Sequence, residues 1–592
     1  MTRITLLIIA GLAQQACAST LVLEFKPLWN GKALVMNDTS LLNAAGNRLS
    51  VTRFAALLSH AELQKQDGTW IGAKDWVEFL DVGSQRLSVR LDGIPSQKYR
   101  TLRFDVGLDP VMDGRNPSQW GPLHPLNPQV NGLHWSWRGQ FVFLAVEGRY
   151  EQADGEFGGY SYHLAGQPCR GTVVVPVELD LADDVTLLMN VHLDRFFGAA
   201  HKIDISNADS THSADDDELA VQLAENAVRG FGVAGVSQGL PKGNVTQANM
   251  PENLPPLGMS VPAHFPRIEY GRDNPLTEKG IALGEALFFD KRLSINETQS
   301  CASCHAAEYG FSDLRRYSVG AEGQVGVRQA MPLFNLAWKP AFFWDGRAPT
   351  LRKQVLMPIQ DPAEMHETLE SVAEKLSDLE PQFVEVFGES GITSANLAKA
   401  LEQYLLTLIS GDSKMDRTLT QKEQLSELEQ RGFMLFFTES DPGRGIRGAD
   451  CFHCHGGVHF TNNQFINNGL ETEVDMEDAG RAQVTGLASD RGKFMVPSLR
   501  NVAITAPYMH DGRFKTLEEV LEHYDHGVKR SATLDPNLAK HLRYGGLRLS
   551  EEEKAALVAF LKTLTDTTFV HAHSSEAPRE TEPSSARGRM ID

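Results

Sequence analysis

The sequence predicts a multidomain protein in which an N-terminal all-β sandwich is followed by a mainly α-helical second part. Three observations predict this fold class. The chain has 592 residues, which at roughly 150 residues per domain corresponds to two to four domains. Apolar and polar residues alternate between turns over residues 20–200, as in half-buried strands. From about residue 270 onward, apolar residues recur at helical spacing.

Composition and charge exclude several classes of protein. The chain is 42% hydrophobic and 22% charged, which is ordinary for globular proteins and excludes disorder, collagen and coiled coil as descriptions of the whole chain. With 56 lysines and arginines against 76 acidic residues, the net charge is −20. Such an acidic surface repels phosphate backbones, so nucleic acid is not an expected partner, whereas a basic redox protein would be attracted.

The N-terminus predicts a signal peptide over residues 1–18. Arg3 supplies the positive start, residues 4–13 are apolar, and Ala16-Cys17-Ala18 fits a cleavage site. A buried first strand is the alternative interpretation. Cys17 could instead be a lipidated cysteine, but Gln14 and Gln15 before it are not typical of a lipoprotein signal. No later stretch is apolar and long enough for a transmembrane helix. We therefore expect an exported, periplasmic protein without a transmembrane segment.

The all-β part is predicted over residues 20–200. Six segments have strand character, namely 21–25, 87–91, 102–106, 141–146, 172–177 and 185–193. Residues 201–265 are rich in Asp, Ser, Asn, Gly and Pro and are expected to form a linker with one helix over 217–229. The lone Cys169 is expected to be buried and not catalytic.

The α-helical part is expected to begin at about residue 266. Helices are predicted over 274–289, 369–387, 394–409, 425–437, 517–524 and 550–564. Long loops separate these helices, as expected where cofactors fill the core in place of side chains. The polar residues 567–592 predict a disordered tail.

Two Cys-x-x-Cys-His motifs give the strongest chemical signal, Cys301-Ala-Ser-Cys304-His305 and Cys451-Phe-His-Cys454-His455. Two thiols at this spacing reach both vinyl groups of one haem, and the following histidine then lies under the iron as an axial ligand. A zinc ribbon is the alternative, but it would not need a histidine directly after each second cysteine. The two motifs lie 150 residues apart, which predicts two similar haem c domains over 266–415 and 416–566.

Further motifs accompany the two haem motifs between residues 274 and 565. They are Leu293-Ser294, Phe343-Trp344-Asp345-Gly346-Arg347, Gln354, Pro358, Glu364-Met365, and the segments 496–501, 505–512 and 559–564. With these motifs the sequence resembles the bacterial di-haem cytochrome c peroxidases, including the MauG-type enzymes. The resemblance implies that the first haem is the peroxide site, with His305 as its proximal ligand.

The same resemblance assigns three side chains around the peroxide site. Gln354 and Glu364 match the distal pair, in which an amide can hold peroxide and a carboxylate can move a proton between its oxygens. Trp344 matches the tryptophan between the two haems, where an indole can carry an electron hole from one iron to the other. A plain core role for this tryptophan is compatible with that assignment.

The sixth ligand of the second haem separates two kinds of enzyme within this family. Classical peroxidases have a methionine on the helix after the His-Asp-Gly motif, and this sequence has Tyr524 there. A phenolate stabilises high-valent iron more than a thioether does, which favours the MauG type. Tyr544, His523 and His526 are rival ligands.

The resemblance also implies a calcium ion between the haem domains. Thr505 and Pro507 match backbone-carbonyl ligands of that ion. Gln329 stands at the usual asparagine position and offers the same amide oxygen from a longer side chain.

The N-terminal part carries a second set of motifs: Arg103-Phe, Gly121-Pro-Leu-His124-Pro, Asn131-Gly132, Trp135-Ser-Trp137, 141–148 and Tyr160-Ser-Tyr-His163-Leu. With these, residues 20–200 resemble the copper-binding MbnP family. In that family a MauG-like partner, MbnH, converts one tryptophan to kynurenine, which then helps to bind copper. The resemblance implies that Trp135 or Trp137 is the modified residue, with Trp135 favoured.

Imidazoles suit copper, and the candidate copper ligands are His124, His163 and His60. His134 stands where the family usually has Tyr, Phe or Met, so it adds either a ligand or nothing.

Together these features predict a di-haem peroxidase that uses hydrogen peroxide to oxidise a tryptophan of its own fused copper domain, or of a second copy, to kynurenine. The first alternative is a peroxide-detoxifying cytochrome c peroxidase that takes electrons from a small cytochrome or cupredoxin. The second is a copper-binding protein whose haem half only relays electrons. The expected cofactors are two covalent haem c groups, copper and calcium.

Overall fold

The computed structural model describes residues 18–72, 75–121, 124–135, 139–211, 213, 217–240, 261–266, 268, 273–388, 391–441 and 445–574. Contacts divide the chain into two compact units. The first comprises residues 1–115 and 140–249, and the second comprises residues 116–139 and 250–592. Residues 1–17 of the predicted signal peptide, Trp137 and the end of the predicted tail (575–592) lie outside the described residues.

The first unit is built mainly from strands that form two sheets. One sheet has the order Phe231–Gln238, Val185–His192, Ala18–Trp29 and Lys32–Ala33, with Ser88–Pro95 also paired to Ala18–Trp29. The other has the order Gly171–Asp180, Lys98–Val106, Arg48–Lys65, Gln140–Glu151, Phe157–Ala165 and Ser210–Thr211, and the strands Leu41–Leu42, Trp70–Gly72 and Val77–Asp81 pair with Arg48–Lys65. Short helices complete it: Pro110–Asp113, Leu193–Phe196 and Glu218–Val228.

One hydrophobic core lies between the two sheets, which confirms the predicted sandwich. Along Gly171–Asp180, buried and exposed side chains alternate strictly, as the pleat of a half-buried strand requires. Phe25 from the first sheet meets Phe104 from the second edge to face, with ring centroids 6.4 Å apart. Cys169 is buried at the edge of this core, as expected.

Two predictions for the first unit differ from the structure. Residues 217–240 are not linker: Glu218–Val228 is the expected helix, and Phe231–Gln238 pairs antiparallel with Val185–His192. The longest strand, Arg48–Lys65, is not predicted at all. Its Ala-Ala-Leu-Leu segment and its Glu and Lys residues favour helix locally, but burial between neighbouring strands overrides that preference.

The second unit is mainly helices and long loops. It includes the short helix Pro128–Asn131 and the two-residue strand His134–Trp135. Its other helices are Glu278–Phe289, Leu351–Gln354, Met357–Gln360, Leu369–Lys375, Glu380–Phe387, Ser394–Thr407, Lys414–Leu419, Glu427–Phe436, Ala482–Thr485, Leu517–Glu522, Pro536–Ala539, Glu551–Lys562 and Thr567–Ser574, and Phe465–Ile466 pairs with Phe494–Met495.

All six helices predicted for this part are present, with shifted ends. The predicted helix 369–387 is two helices with a short turn between them. The first helix begins at Glu278, because the side chain of Thr277 accepts the Gly280 N–H and caps it. The predicted tail begins with the helix Thr567–Ser574, whose Phe569 is buried. Within the described residues no helix has the length and apolarity needed to cross a membrane.

Two helix pairs in this unit repeat one packing arrangement. A Cβ added to Gly284 would lie 2.0 Å from the carbonyl oxygen of Ala400, and a Cβ added to Gly432 would lie 1.9 Å from that of Ala556. In both pairs a glycine therefore lets two backbones touch. One turn later, aromatic rings meet at Phe288–Tyr404 and Phe436–Phe560. Each Cys-x-x-Cys-His motif lies between the two helices of one pair in the sequence, so the two halves share one design.

Candidate functional site

The first haem motif presents a preorganised imidazole. Cys301–Ser303 forms one turn of 3-10 helix, and His305 follows two residues later. His305 Nδ1 lies 2.8 Å from the carbonyl oxygen of Phe311 and donates to it. Burial lowers the pKa of His305, so the ring is neutral and its Nε2 is left as a metal ligand. The donor set of two thiols and an oriented neutral imidazole fits a covalently attached haem.

The second motif repeats this arrangement. His455 Nδ1 donates to the carbonyl oxygen of Phe460 over 3.1 Å, and burial lowers the pKa of His455 to about 4. Phe311 and Phe460 both have left-handed backbones, with φ of 58° and 51°. That conformation turns each carbonyl towards its histidine, so both halves orient their axial ligand in the same way.

A cavity of about 760 Å³ surrounds the first motif, within the size range of ligand sites. It is lined by six of the residues predicted from the sequence, namely Cys304, His305, Gln329, Trp344, Gln354 and Glu364. Residues separated by up to 60 positions in sequence thus converge on one space. The structure thereby groups the predicted distal pair with the predicted proximal ligand.

Glu364 has the electrostatics of a proton-transfer group. Burial, together with the nearby Asp361, raises its pKa to about 7, although Arg347 opposes that rise. A carboxyl group with a pKa near the working pH can both accept and return a proton. Gln354 lies at the end of Leu351–Gln354, a helix that the side chain of Thr350 caps.

Trp344 is held rigidly between the halves of the second unit. Its indole N–H donates to the carbonyl oxygen of Gln329 over 2.9 Å, and its own carbonyl accepts the N–H of Met495 over 2.7 Å. Only 8% of its surface is exposed. Gln329 belongs to the first half and Met495 to the second, so the indole lies where the two halves meet.

Sequence reasoning missed Arg328, which fixes the segment around this indole. Its guanidinium bonds Asp345 over 2.6 Å and Asp478 over 2.7 and 2.9 Å. Asp345 directly follows Trp344, so the ion network ties the tryptophan to the second half. The only sequence signal was the position of Arg328 beside Gln329.

Tyr524 lies beside the second haem motif. Burial raises the pKa of its phenol, and nearby Cys454 and Cys451 add to that rise, while an Asn468 amide opposes it. Tyr524 lies in a single wide π-turn, His523–Gly527, which continues the helix Leu517–Glu522. Such turns frequently re-aim side chains at functional sites.

The rival ligands of the second haem are placed differently. The His523 Nε2 atom lies 3.0 Å from the carbonyl oxygen of Asn468, to which it donates. His526 is exposed and pairs with Glu522. Tyr544 lies under the guanidinium of Arg543. Tyr524 is thus the candidate whose surroundings include the haem-attaching cysteines.

The candidate calcium ligands lie near the turn that precedes the His-Asp-Gly motif. The buried Gln329 amide donates to Ser312 Oγ over 2.8 Å and to the carbonyl oxygen of Asp313 over 3.1 Å. Its backbone N–H bonds the carbonyl oxygen of His510. Thr505 and Pro507 precede that histidine. Calcium binding by these three residues stays a prediction.

Two of the candidate copper ligands are engaged by carboxylates. His163 Nε2 lies 2.9 Å from Glu147 Oε1, which also accepts from Arg53. Burial raises the pKa of Glu147, but the opposing effects of Arg53 and His163 are larger and bring the pKa down to about 2. His60 Nε2 lies 2.9 Å from Asp109, on a left-handed backbone with φ of 53°.

The sheet register separates these two histidines. His163 pairs with Ala145, which pairs with Ala55, and His60 lies five residues further along that strand. Two strand spacings and five residues correspond to roughly 19 Å. At that separation of their Cα atoms the strands do not bring the two imidazoles together, and copper binding by either of them stays a prediction.

The remaining copper candidate, His124, and the tryptophan predicted to be modified, Trp135, lie in residues 116–139 of the second unit. The ring of His124 stacks on Trp120 with centroids 4.1 Å apart, and its Nδ1 accepts the N–H of Leu126. Trp135 is 6% exposed. Burial lowers the pKa of the neighbouring His134 to about 4, so that imidazole is neutral.

Comparison with known proteins gives matches on both parts of the chain. Residues 278–424 match the family model of the di-haem cytochrome c peroxidases, and residues 18–214 match that of MbnP. The methylamine utilization protein MauG of Methylorubrum extorquens is 37% identical over 314 residues, which cover 52% of this chain and 84% of that protein. The cytochrome c551 peroxidase of Nitrosomonas europaea is 34% identical over 293 residues, which cover 48% of this chain and 79% of that protein.

The chain is also similar to solved structures. One of them is the crystal structure of a MauG-like protein associated with microbial copper homeostasis. The match is 35% identical in sequence, covers 52% of this chain and 96% of the other, and has a TM-score of 0.47.

Proposed function

Because the chain belongs to the family of MauG and the di-haem cytochrome c peroxidases, we propose that it uses hydrogen peroxide to oxidise Trp135 to kynurenine. The observation that carries the proposal is the placement of this tryptophan. Trp135 is buried, and its segment belongs by contacts to the same compact unit as both haem motifs. A buried indole in that unit is a better target for electron withdrawal than for reaction with free peroxide.

The residues of the large cavity divide the peroxide chemistry between them. Haem, when bound through the two motifs, supplies the cleavage of the O–O bond and the storage of oxidising equivalents. The Gln354 amide holds the peroxide, and the Glu364 carboxylate takes the proton from one oxygen and delivers it to the other. Trp344 passes electrons between the halves, since its indole is fixed to both.

The overall conversion balances with two peroxides for each tryptophan. The indole ring loses one carbon as formate and gains one oxygen, and one water is released. The aromatic amine of the resulting kynurenine would then serve as a copper ligand. His124 and His134 both precede this tryptophan in the sequence and lie in the same segment; they are the imidazoles we assign to that copper site.

Tyr524 supports modification over detoxification. A detoxifying peroxidase needs a second haem that accepts electrons from a small cytochrome or cupredoxin, and a thioether ligand favours that state. A phenol beside Cys451 and Cys454 favours retention of oxidising equivalents instead. We place this activity in the periplasm, where covalent haem attachment occurs.

Peptide mass spectrometry of the full-length holoprotein, before and after peroxide, tests the proposal. We expect the peptide that contains Trp135 and Trp137 to lose one carbon and gain one oxygen. The variants Trp135→Phe and Trp137→Phe identify the modified residue. A second experiment mixes haem-loaded chains with haem-deficient chains and adds peroxide: oxidation of the haem-deficient chains shows action on a second copy, and oxidation of the haem-loaded chains alone shows action on the same molecule. An unmodified peptide, with both haems attached and peroxide consumed, would refute the proposal and favour a detoxifying peroxidase.

A further inference from the structure

A histidine outside the predicted site lies deep in the second unit. His459 is 2% exposed. Its ring packs against Phe265, with centroids 4.5 Å apart, and against Trp338, with centroids 4.7 Å apart. Within the described part of the chain, neither ring nitrogen has a hydrogen-bond partner. An imidazole always carries polar nitrogens, and leaving such a group buried without a partner destabilises the folded state.

The surroundings of His459 are rigid and keep the ring neutral. Arg500 is fully buried and bonds both carboxylate oxygens of Asp416 over 2.8 Å. Its guanidinium also lies 4.6 Å from the centre of the Phe265 ring. Burial and the charge of Arg500 hold the pKa of His459 well below its ordinary value. The ring therefore has one N–H donor and one acceptor nitrogen to satisfy.

A small cavity lies next to this ring. It measures about 30 Å³ and is lined by His459, Trp338, Lys339, Asn335, Asn463 and Ser498, among others. A cavity of this size has room for one water molecule, and the side chains of His459, Asn335 and Ser498 offer it polar partners beside the apolar lining. Met331 and Pro497 line it as well; Met331 belongs to the half that carries His305, and Pro497 belongs to the half that carries His455. The cavity therefore lies between the two halves of the second unit.

Lys339 connects this cavity with the large one. The residue lines both spaces. Its ammonium group makes no ion pair with a described carboxylate, and burial lowers its pKa to about 8. An ammonium has three donors and no acceptor, so it can donate to a water molecule that in turn donates to the acceptor nitrogen of a neutral imidazole.

We propose that the small cavity is a binding site for one ordered water molecule, which hydrogen-bonds His459 and bridges it to Lys339. The water supplies the missing partner of the buried imidazole and links the large cavity to the second haem motif by polar contacts. His459 directly precedes Phe460, whose carbonyl orients His455. The bridge therefore adjoins the hydrogen bond that positions the second axial ligand.

The crystal structure of the full-length holoprotein, at a resolution that shows waters, tests the site directly. We expect a water within hydrogen-bond distance of a His459 ring nitrogen. The variant His459→Phe keeps a ring against Trp338 and Phe265 but removes both nitrogens, so the water should be lost. His459→Asn keeps a polar edge and should retain it.

A second readout separates a polar bridge from mere packing. Ferric haem carries one more positive charge than ferrous haem, so drier surroundings favour the ferrous state. In a potentiometric titration, His459→Phe should raise the reduction potential of the second haem relative to the first, and His459→Asn should leave the difference near wild type. A haem propionate oxygen or an inorganic anion at His459, an empty cavity, or equal shifts of both haems in both variants would overturn the proposal.

Discussion

The indole N–H of Trp344 donates to the main-chain carbonyl of Gln329 over 2.9 Å. A carbonyl accepts a hydrogen bond but does not take a proton at neutral pH. An electron withdrawn from this indole therefore leaves a positive charge that stays on the ring and can be refilled from the other half. The contact fixes the indole for electron transfer and disfavours its own chemical modification.

Replacing Trp344 by phenylalanine tests this role. Trp344→Phe removes the readily oxidised indole and the hydrogen bond to Gln329 but keeps an aromatic ring. We expect peroxide to react with the first haem as before, whereas oxidation of Trp135 should slow by roughly tenfold or more, the effect of about 1.4 kcal/mol on a barrier. Stopped-flow absorbance and peptide mass spectrometry measure the two steps separately.

Trp29→Phe is the matched control for that substitution, because Trp29 is also buried and also donates its indole N–H to a main-chain carbonyl, that of Leu42. Its loss should leave the rate of Trp135 oxidation near wild type. Equal slowing by both substitutions would contradict a specific role for Trp344.

Glu364 should give the peroxide reaction its pH dependence. The raised pKa of about 7 means that the carboxylate form, which accepts the peroxide proton, is lost as the pH falls below that value. The rate of reaction with peroxide should therefore rise with pH through about 7. Glu364→Gln should abolish this dependence and slow the reaction by about 10²–10⁴-fold, the usual contribution of a positioned acid–base group.

Glu367→Gln is the control for the carboxylate, because Glu367 lies three residues away and pairs with Lys375 outside the large cavity. It should retain the wild-type pH profile. A wild-type profile in the Glu364 variant would show that another group transfers the proton.

Tyr524 should determine the electronic state of the second haem. Tyr524→Phe removes the phenol oxygen while the π-turn over His523–Gly527 keeps its shape, so ligation of the second iron should change. We expect altered visible and electron paramagnetic resonance spectra of that haem alone. His526→Phe, at an exposed position on the same turn, should leave the spectra unchanged. Unaltered spectra for Tyr524→Phe would assign the ligand elsewhere.

Local patterns predicted the haem motifs, but the copper ligands depended on distant partners. Cys301, Cys304 and His305 are adjacent in sequence, so their spacing alone defines their chemistry. His163 and His60 instead bond Glu147 and Asp109. Which carboxylate reaches which imidazole depends on the strand register, and single-residue patterns do not contain it.

The elements of the fold that were predicted are those with a clear local pattern. Strands with strict alternation, such as Gly171–Asp180, and helices with clear spacing were recognised. Arg48–Lys65 was missed because it is buried among neighbouring strands and lacks alternation, and Phe231–Gln238 because its glycines and polar residues are typical of loops. In both cases pairing with distant strands, which local sequence does not report, decides the structure.

The glycines of the two helix pairs give the last prediction. A methyl group at Gly284 or Gly432 would overlap the carbonyl oxygens of Ala400 or Ala556, so the helices would have to separate. Gly284→Ala and Gly432→Ala should each lower the free energy of unfolding by about 1–3 kcal/mol, the usual cost of overpacking. Because each helix pair encloses one motif in sequence, the two variants should also weaken haem retention in different halves.

Urea denaturation, followed by absorbance at the haem bands, measures both the stability and the haem retention of these variants. Gly445→Asn is the control, because a Cβ added at Gly445 meets nothing within 4 Å and asparagine tolerates the positive φ of that position. This variant should unfold near the wild-type urea concentration, since it adds a side chain without forcing two backbones apart. Unchanged stability in either helix variant would refute the shared packing design, because a real Cβ cannot occupy the space that the two carbonyl oxygens already fill.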